Sequence, residues 1–174
     1  MTRRFDRTVS ADKIHMISLC GLAHFDYNMA GAYGYEQAFS VIQQLNLGYA
    51  ALQQMFCRMV FNIVARNQDD HTKNICFLMS PDGRWQLSSA FDLTWAYKPG
   101  HKWWNTHQMS VNGKRDGFGK SDLLNVGSEY GIRNASDVVD KVIEVVSRWH
   151  EYARKAGVQE SRISEIAATH RLRL

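Results

Sequence analysis

The stretch LGYAALQQMFCRMVFNIVARNQDDHTKNICFLM, residues 47–79, decides the predicted fold. Its apolar residues recur at spacings of three and four, which place them on one face of an α-helix; they are Leu52, Met55, Phe56, Met59, Val60, Ile63 and Val64. Polar side chains such as Gln53 and Arg58 interrupt the run and are costly inside a lipid bilayer. We therefore predict a buried helix over residues 47–66, in a protein that does not enter a membrane.

A β-hairpin is predicted directly after this helix, over residues 75–89. ICFLM is a short apolar strand, SPDG supplies the turn through Pro81 and Gly83, and RWQLSS returns alongside the first strand. Upstream, ADKIHMISLC (11–20) is predicted as a short helix, and the glycine- and tyrosine-rich residues 21–39 as a long loop with a turn of helix at its end.

Two further helices are predicted near the C-terminal end, over residues 136–156 and 160–170. Ser136 and Ser121 are predicted N-caps, because a hydroxyl there accepts a hydrogen bond from an otherwise unpaired amide. The predicted fold class is therefore mostly α with a small β-hairpin. The last five residues, HRLRL, are expected to form a frayed basic end, with binding to acidic partners as the alternative.

The composition indicates a single compact domain. Hydrophobic residues make up 45% of the 174 residues and there are only two prolines, so the chain can bury a real core. The net charge of +4 is dispersed, which favours weak attraction to anions such as ATP over direct contact with nucleic acid. Three cysteines without paired spacing indicate reduced thiols, and the polar start MTRRFDRTVS does not form a signal peptide. We therefore expect a cytoplasmic protein.

The polar segment NQDDHTKN, residues 67–74, lies between two apolar elements and needs a chemical explanation. Since the two strands of a hairpin lie side by side, the residues before the first strand and after the second emerge at the same end. This brings Asn74 close to Asp92, although 18 positions separate them. An amide oxygen and a carboxylate, completed by water and phosphate oxygens, suit Mg²⁺. Asp69, at the mouth of the same loop, can orient or deprotonate an attacking hydroxyl.

This arrangement resembles that of protein kinases, in which an Asp is followed five residues later by a metal-binding Asn, and a second metal-binding Asp comes after a hairpin. The strings DDHTKN (69–74) and AFDLT (90–94) look like the D-x-H-x-K-N loop and the following Asp segment of the HipA-like serine/threonine kinases, the toxin component of bacterial HipA/HipB systems. HQMSVNGKRD (107–116), SDLL (121–124) and SRWHEYARKAGV (147–158) are similar to the C-terminal part of that family. The resemblance covers nearly the whole chain.

The resemblance implies a protein-kinase-like C-terminal lobe of the HipA type over residues 1–174, with residues 1–10 as a hinge-like start. Such a lobe takes part in transferring a phosphoryl group from ATP to a serine or threonine of a protein substrate. By the same resemblance, Asp69 is the catalytic base, and Asn74 and Asp92 are the Mg²⁺ ligands.

Three more residues are assigned to ATP binding by the resemblance. It implies that His71 lies near the ATP phosphates and that Phe5, in RRFDR, lines the adenine pocket. Lys73 is assigned to the nucleotide as well, with an ion pair to a neighbouring acid as the alternative. Asp70 is expected to matter much less, because its side chain is one register away from that of Asp69.

The segment GHKWWNTH, residues 100–107, contains two tryptophans and two histidines. His101 and His107 are six positions apart without a carboxylate between them, which matches no recognised metal-ligand geometry. Adjacent tryptophans point in different directions on any regular element. For Trp103, Trp104 and both histidines, core packing or a partner surface is therefore expected.

The chain also departs from the family, since only four residues precede Phe5, and we therefore expect it to lack the N-terminal lobe of a HipA kinase. That lobe covers the ATP phosphates, so this chain alone is expected to be very slow or inert. The expected partners are a protein substrate and either a separate N-terminal lobe chain or a HipB-like antitoxin. The alternative function is a catalytically inert lobe that acts as a protein-interaction module.

Overall fold

The computed structural model describes residues 4–174. Within that range the chain forms three strands and seven helices. In order they are β1 (His15–Ser18), α1 (Leu19–Ala23), α2 (Tyr35–Gln44), α3 (Gly48–Val64), β2 (Cys76–Met79), β3 (Trp85–Leu87), α4 (Lys120–Glu129), α5 (Ala135–Ser147), α6 (Trp149–Lys155) and α7 (Glu160–Ala167). The fold is helix-rich with a small antiparallel sheet.

Helix α3 lies at the centre of the core and confirms the prediction for residues 47–66. It packs against α2 and α5. Its apolar face is buried along its C-terminal half, through Met55, Phe56, Met59, Val60, Ile63 and Val64. None of the helices in the described range is long and apolar enough to cross a membrane.

The strands form one antiparallel sheet in the order β1-β2-β3. Strands β2 and β3 confirm the hairpin predicted over residues 75–89. The helix predicted over residues 11–20 is wrong, because His15–Ser18 pairs with the second edge of β2 and helix begins only at Leu19. Pairing with β1 satisfies backbone groups of β2 that a two-stranded hairpin leaves open, and this tertiary gain overrides the local helix preference.

The single helix predicted over residues 136–156 is interrupted at Arg148, which lies between α5 and α6. The interruption reorients Trp149, whose Nε1 donates to the carbonyl oxygen of Ile163 on α7 at 3.0 Å. Helix α7 itself confirms the element predicted over residues 160–170, although it ends at Ala167.

Both predicted N-caps are displaced, because each helix begins before the predicted serine. Asn134 precedes α5 and Gly119 precedes α4, so Ser136 and Ser121 lie inside the first turns. In α4 the carboxylate of Asp122 accepts a hydrogen bond from the Gly119 amide at 2.9 Å. This side chain satisfies the open end of the helix, a task that the prediction gave to Ser121.

Candidate functional site

The polar loop after α3 is held by the chain that follows the hairpin. The amide of Ala96 donates to the Arg66 carbonyl, and the amide of Gln68 donates to the Ala96 carbonyl, both at 3.0 Å. Nδ2 of Asn67 also reaches the carbonyl oxygen of Asp92, at 3.4 Å. These bonds lay the segment after the hairpin alongside the loop and so place Asp92 next to it.

Asn74 and Asp92 line one small cavity. Its volume of about 20 Å³ accommodates a single water-sized guest. Nδ2 of Asn74 donates to the backbone carbonyl of Asp69 at 3.0 Å, so Oδ1 is the atom of this amide that can act as a ligand. Asp92 is exposed, and its φ of 54° lies in the left-handed region that non-glycine residues seldom adopt. Strained backbone of this kind tends to occur at functional sites.

Three buried polar atoms of cavity-lining residues have no hydrogen-bond partner in the described part of the chain: Nε of Arg58, Oδ1 of Asn67 and Nδ1 of His71. Buried polar groups are nearly always paired, so unpaired ones mark a place where water or a ligand completes the bonding. A guanidinium and an imidazole can bind phosphate oxygens, and the Asn74 amide with the Asp92 carboxylate offers the oxygen ligands that Mg²⁺ prefers. By their chemistry the residues present therefore fit Mg²⁺ and phosphate oxygens, while the cavity itself has room for one water-sized guest and not for a whole nucleotide.

The donor set favours magnesium over zinc. Across residues 4–174, no group of three or more His, Cys, Asp or Glu side chains comes together in a way that could hold a metal ion. Zinc sites use three or four such ligands from the protein. Mg²⁺ usually takes one or two carboxylates or amides from the protein and completes its shell with water and substrate phosphates.

Asp69 faces a different space from Asn74 and Asp92. It lines two surface grooves, of about 260 Å³ and about 760 Å³, and not the small cavity. His71 lines both the cavity and the smaller groove. The predicted metal ligands and the predicted base therefore lie in neighbouring spaces that share His71 as a wall.

Lys73 and Phe5 both lie outside the cavity lining. Nζ of Lys73 lies 4.2 Å from the centroid of the Tyr27 ring, and among the described residues this lysine forms no ion pair, so a cation–π contact takes the place of the suggested ion pair. The ring of Phe5 packs on Phe91 at a centroid distance of 5.7 Å, and Phe91 does line the cavity. Phe5 therefore does not line the cavity itself but packs against a residue that does.

Asp70, which was expected to matter little, is buried, and both of its carboxylate oxygens take part in hydrogen bonds. Its Oδ2 accepts from the Tyr35 hydroxyl at 2.9 Å and faces Nδ1 of His107 at 2.8 Å. Its Oδ1 accepts from the amide of Gln108 at 2.8 Å. Consecutive side chains of an extended segment point in opposite directions, so Asp69 faces the surface grooves while Asp70 faces the core.

His107 connects Asp70 to the C-terminal end of the chain. Its Nε2 lies 2.9 Å from Nη1 of Arg171. Because a guanidinium can only donate, Nε2 is the acceptor, and the ring proton is on Nδ1, which donates to Asp70. Of the two expectations for His107, core packing is confirmed, since this side chain is completely buried.

The expectation of a frayed basic end is wrong at Arg171. Its backbone amide donates to the Val64 carbonyl at 2.9 Å, its guanidinium pairs with Asp116, and it lies 5.2 Å from the Phe118 ring centroid. The C-terminal segment is thereby fixed to the end of α3, just before the polar loop. A run of basic residues at a terminus gives no local sign of these partners, because all of them are far away in the sequence.

Burial and the neighbouring groups decide whether Asp70 and Tyr35 are charged. Burial by itself raises the pKa of Asp70, but the electrostatic attraction of His107, followed by the hydrogen bonds from His107, Gln108 and Tyr35, outweighs it and holds the pKa below its ordinary value. Burial, followed by the neighbouring Asp70 carboxylate, raises the pKa of Tyr35 well above its usual range. At neutral pH Asp70 is therefore an anion and Tyr35 a neutral donor.

A helix-rich domain with a three-stranded sheet and this polar loop has a counterpart among known protein families. The family model described as the HipA-like C-terminal domain matches residues 1–171, and the chain belongs to that family. Among solved structures, it is similar to HipA of Shewanella oneidensis MR-1, in a complex of HipA, HipB and their operator DNA. The match has a TM-score of 0.71 and 18% identity, and covers 95% of this chain and 44% of the Shewanella chain. No curated protein matches.

The chain spans less than half of the length of the Shewanella protein. At this level of identity the likeness concerns the fold. Because the Shewanella complex contains operator DNA, the expectation that this chain makes no direct contact with nucleic acid gains no support from the match.

Proposed function

We propose that this chain is the C-terminal lobe of a HipA-like protein serine/threonine kinase. In this proposal Asn74 and Asp92 hold Mg²⁺ with ATP, and Asp69 orients and deprotonates the acceptor hydroxyl. The observation that carries the proposal is the shared cavity of Asn74 and Asp92, which come from the two ends of the hairpin. An amide and a carboxylate five and twenty-three positions after a loop aspartate are the ligand types that kinase sites use.

The chain's own residues have separate tasks in this proposal. Arg58 and His71, with unpaired buried nitrogens at the cavity, bind phosphate oxygens and thereby orient the nucleotide. Asp69 accepts the proton of the substrate hydroxyl as the oxygen–phosphorus bond forms and ADP departs. Bound Mg²⁺–ATP supplies the phosphoryl group and the positive charge that stabilises it during transfer. Asp70 keeps the loop in register from the core side.

Full activity is proposed to need a further lobe and to be controlled by a partner. Phosphoryl transfer depends on groups that cover the phosphates from above, which kinases place on an N-terminal lobe. We assign that task to such a lobe, supplied by another part of the same protein or by a separate chain. The complex of Shewanella HipA with HipB supports a HipB-like antitoxin as a partner of the proposed toxin.

The alternative is a catalytically inert lobe that serves as an interaction module. The observation in its favour is the exposure of large aromatic side chains, among them Trp103 and Trp104 at 36% and 37%. Exposed aromatic surface is typical of protein interfaces. The two functions differ in whether the chain binds Mg²⁺–ATP.

Calorimetric titration of ATP into the purified chain, with and without Mg²⁺, tests the proposal. We expect Mg²⁺-dependent binding that Asp92→Ala weakens by at least about tenfold, because a metal ligand is lost. Asp82→Ala is the matched control, since Asp82 is an exposed acid at the turn of the same hairpin and lines none of the spaces described above. Equal affinities of the wild-type chain and Asp92→Ala would refute the metal site and favour the inert module.

A further inference from the structure

Two surface grooves meet at Asp69. Besides Asp69, both are lined by Trp104. The smaller one, of about 260 Å³, extends past Trp103, and the larger one, of about 760 Å³, extends past Trp95 and Lys98. We call the two together the aromatic groove. The acid that the proposed function makes the catalytic base is therefore at the midpoint of an extended depression.

Trp104 forms a rigid wall of the aromatic groove. Its ring stacks on that of His101, with centroids 4.4 Å apart and planes 18° from parallel. Its carbonyl oxygen accepts from the amide of Lys98 at 3.1 Å. One ring face is therefore covered, and the side chain remains 37% exposed. A fixed, partly exposed indole offers a large apolar contact at little cost in conformational entropy, as anchors of protein interfaces do.

The floor of the larger groove is fixed as well. Nε1 of Trp95 donates to Oγ1 of Thr169 at 2.8 Å, and the Arg162 guanidinium lies 4.8 Å from the ring centroid. Arg162 also pairs with Glu165 at 2.6 Å. These contacts join the side chains that form this groove to one another, and a preorganised surface of this kind lowers the cost of binding a partner.

One lysine lines the groove, and two more lie over aromatic residues of its lining. Lys98 is exposed within the larger groove, Nζ of Lys102 lies 4.5 Å from the Trp103 ring centroid, and Nζ of Lys73 lies 4.2 Å from that of Tyr27. Arg162 and Glu165 pair with each other, so Lys98 and Asp69 are the remaining charged side chains of the larger groove, and Lys102 and Lys73 lie over aromatic rings that line the smaller one. The rim therefore attracts negative charge to a wall that is aromatic.

We propose that the aromatic groove binds an extended, acidic segment of the protein substrate. A large apolar or aromatic side chain of that segment packs on Trp104, acidic residues lie near Lys98 and Lys102, and a serine or threonine hydroxyl lies at Asp69. This inference rests on the proposed function and adds the class of its substrate. The volume of the larger groove is within the range of ligand-sized sites and holds a few residues.

A single-stranded nucleic acid also combines negative charge with stacking, but the groove suits it less well. His101 covers one face of Trp104, and lysines lie over the rings of Trp103 and Tyr27, which leaves few free ring faces for successive bases to stack on. The Asp69 carboxylate at the midpoint repels a phosphate backbone. A peptide needs only one apolar anchor and tolerates this carboxylate, because a hydroxyl donates to it.

The test uses peptides in the absence of nucleotide. A phage-displayed library of nonapeptides with a central serine and randomised flanks is selected on the immobilised chain. We expect enrichment of an aromatic residue or leucine near the serine, with aspartate or glutamate further out. A fluorescein-labelled copy of the enriched peptide is then titrated with the chain by fluorescence anisotropy. Failure to enrich any sequence overturns the inference.

Matched variants identify the groove. Trp104→Ala should weaken peptide binding by about tenfold or more, and Lys98→Glu should weaken it several-fold and reduce its salt dependence. Tyr49→Ala is the control, because Tyr49 is 41% exposed and has an arginine 5.7 Å from its ring but lines neither groove. Circular dichroism checks that each variant is folded. If Trp104→Ala does not fold, Lys98→Glu still tests the groove, because it changes an exposed residue.

Other outcomes separate this inference from the proposed function. Equal losses in Trp104→Ala and Tyr49→Ala overturn the inference, and so does a single-stranded oligonucleotide that displaces the peptide and depends on Trp104 in the same way. If Mg²⁺–ATP binds in an Asp92-dependent manner and no peptide does, only the substrate groove is wrong. If the peptide binds and Mg²⁺–ATP does not, the kinase function is wrong and the groove belongs to an interaction module.

Discussion

Oδ2 of Asp70 lies 2.8 Å from Nδ1 of His107, and both side chains are buried. This contact joins the polar loop after α3 to a segment 37 positions further along the chain. Asp69, one residue away, faces the surface grooves. The two neighbouring acids therefore have different roles, one in holding the loop and one in the chemistry proposed at its surface.

Asp70→Ala should destabilise the protein by about 3 kcal/mol, because it leaves Tyr35, His107 and the Gln108 amide without their buried acceptor. Asp69→Ala should cost less than about 1 kcal/mol, because that side chain faces the grooves. Urea unfolding of the two variants measures the difference. Similar losses in both would show that Asp70 does not hold the loop. The earlier expectation that Asp70 matters little thus applies to its chemistry and not to the fold.

Asp69→Ala and Asp92→Ala should each lower phosphoryl transfer by at least about 100-fold, because one removes the proposed base and the other a proposed metal ligand. Transfer is measured as labelled phosphate on protein serine or threonine, after an N-terminal lobe fragment is added to the chain. Asp82→Ala, at the hairpin turn, should leave the rate unchanged. Activity retained in both variants would refute the assignment of the two roles.

Arg171→Ala should loosen the polar loop, because it removes the guanidinium that contacts His107 and donates to the Ile63 carbonyl of α3. We expect faster amide hydrogen exchange over residues 64–75 and a lower Tm. Arg173→Ala is the control, since Arg173 is exposed and two positions away. Unchanged exchange over these residues in Arg171→Ala would show that the C-terminal segment does not support the loop.

Asp122 should make the stability of the protein depend on pH in the acid range. Hydrogen bonds from Lys114, Asn112 and the Gly119 amide lower its pKa from 3.8 to about 2. A carboxyl group with a depressed pKa stabilises the folded state above its unfolded pKa, and this contribution is lost as the pH falls from about 4 to about 2. The difference in unfolding free energy between the wild-type chain and Asp122→Asn should therefore be largest near neutral pH and shrink below about pH 4. A difference that stays constant down to pH 2 would contradict this.

Local periodicity was sufficient to predict α3, the hairpin and α7. In each, the spacing of apolar residues or a Pro-Gly turn defines the element without reference to distant residues. The same reasoning failed for residues 11–20, where the pairing of β1 with β2 decides the conformation. It also failed at Arg148, where the predicted helix is interrupted, and at the helix caps, since α4 begins one residue before Ser121 and its first turn is capped by Asp122.

The candidate site, like the fold, has parts that the sequence predicted and parts that it did not. Hairpin geometry predicted that Asn74 and Asp92 meet, and they line one cavity, while the roles of these residues and of Asp69 remain predictions. The D-x-H-x-K-N resemblance selects Asp69 over Asp70 for the proposed chemistry, but no local pattern gives Asp70 its place in the core or singles out His107 and Arg171. Their roles depend on the hydrogen bonds that these side chains form with distant residues once the chain is folded.

The sequence by itself determined the central helix, the hairpin, the polar loop between them and the membership of the HipA-like family, because these depend on residue type and short-range spacing. Only the tertiary structure decided the third strand, the inward direction of Asp70, the anchoring of the C-terminus and the groove around Asp69. Each of these requires a polar or apolar group to be satisfied by a partner that is distant in the chain, and such partners are fixed only when the whole core packs.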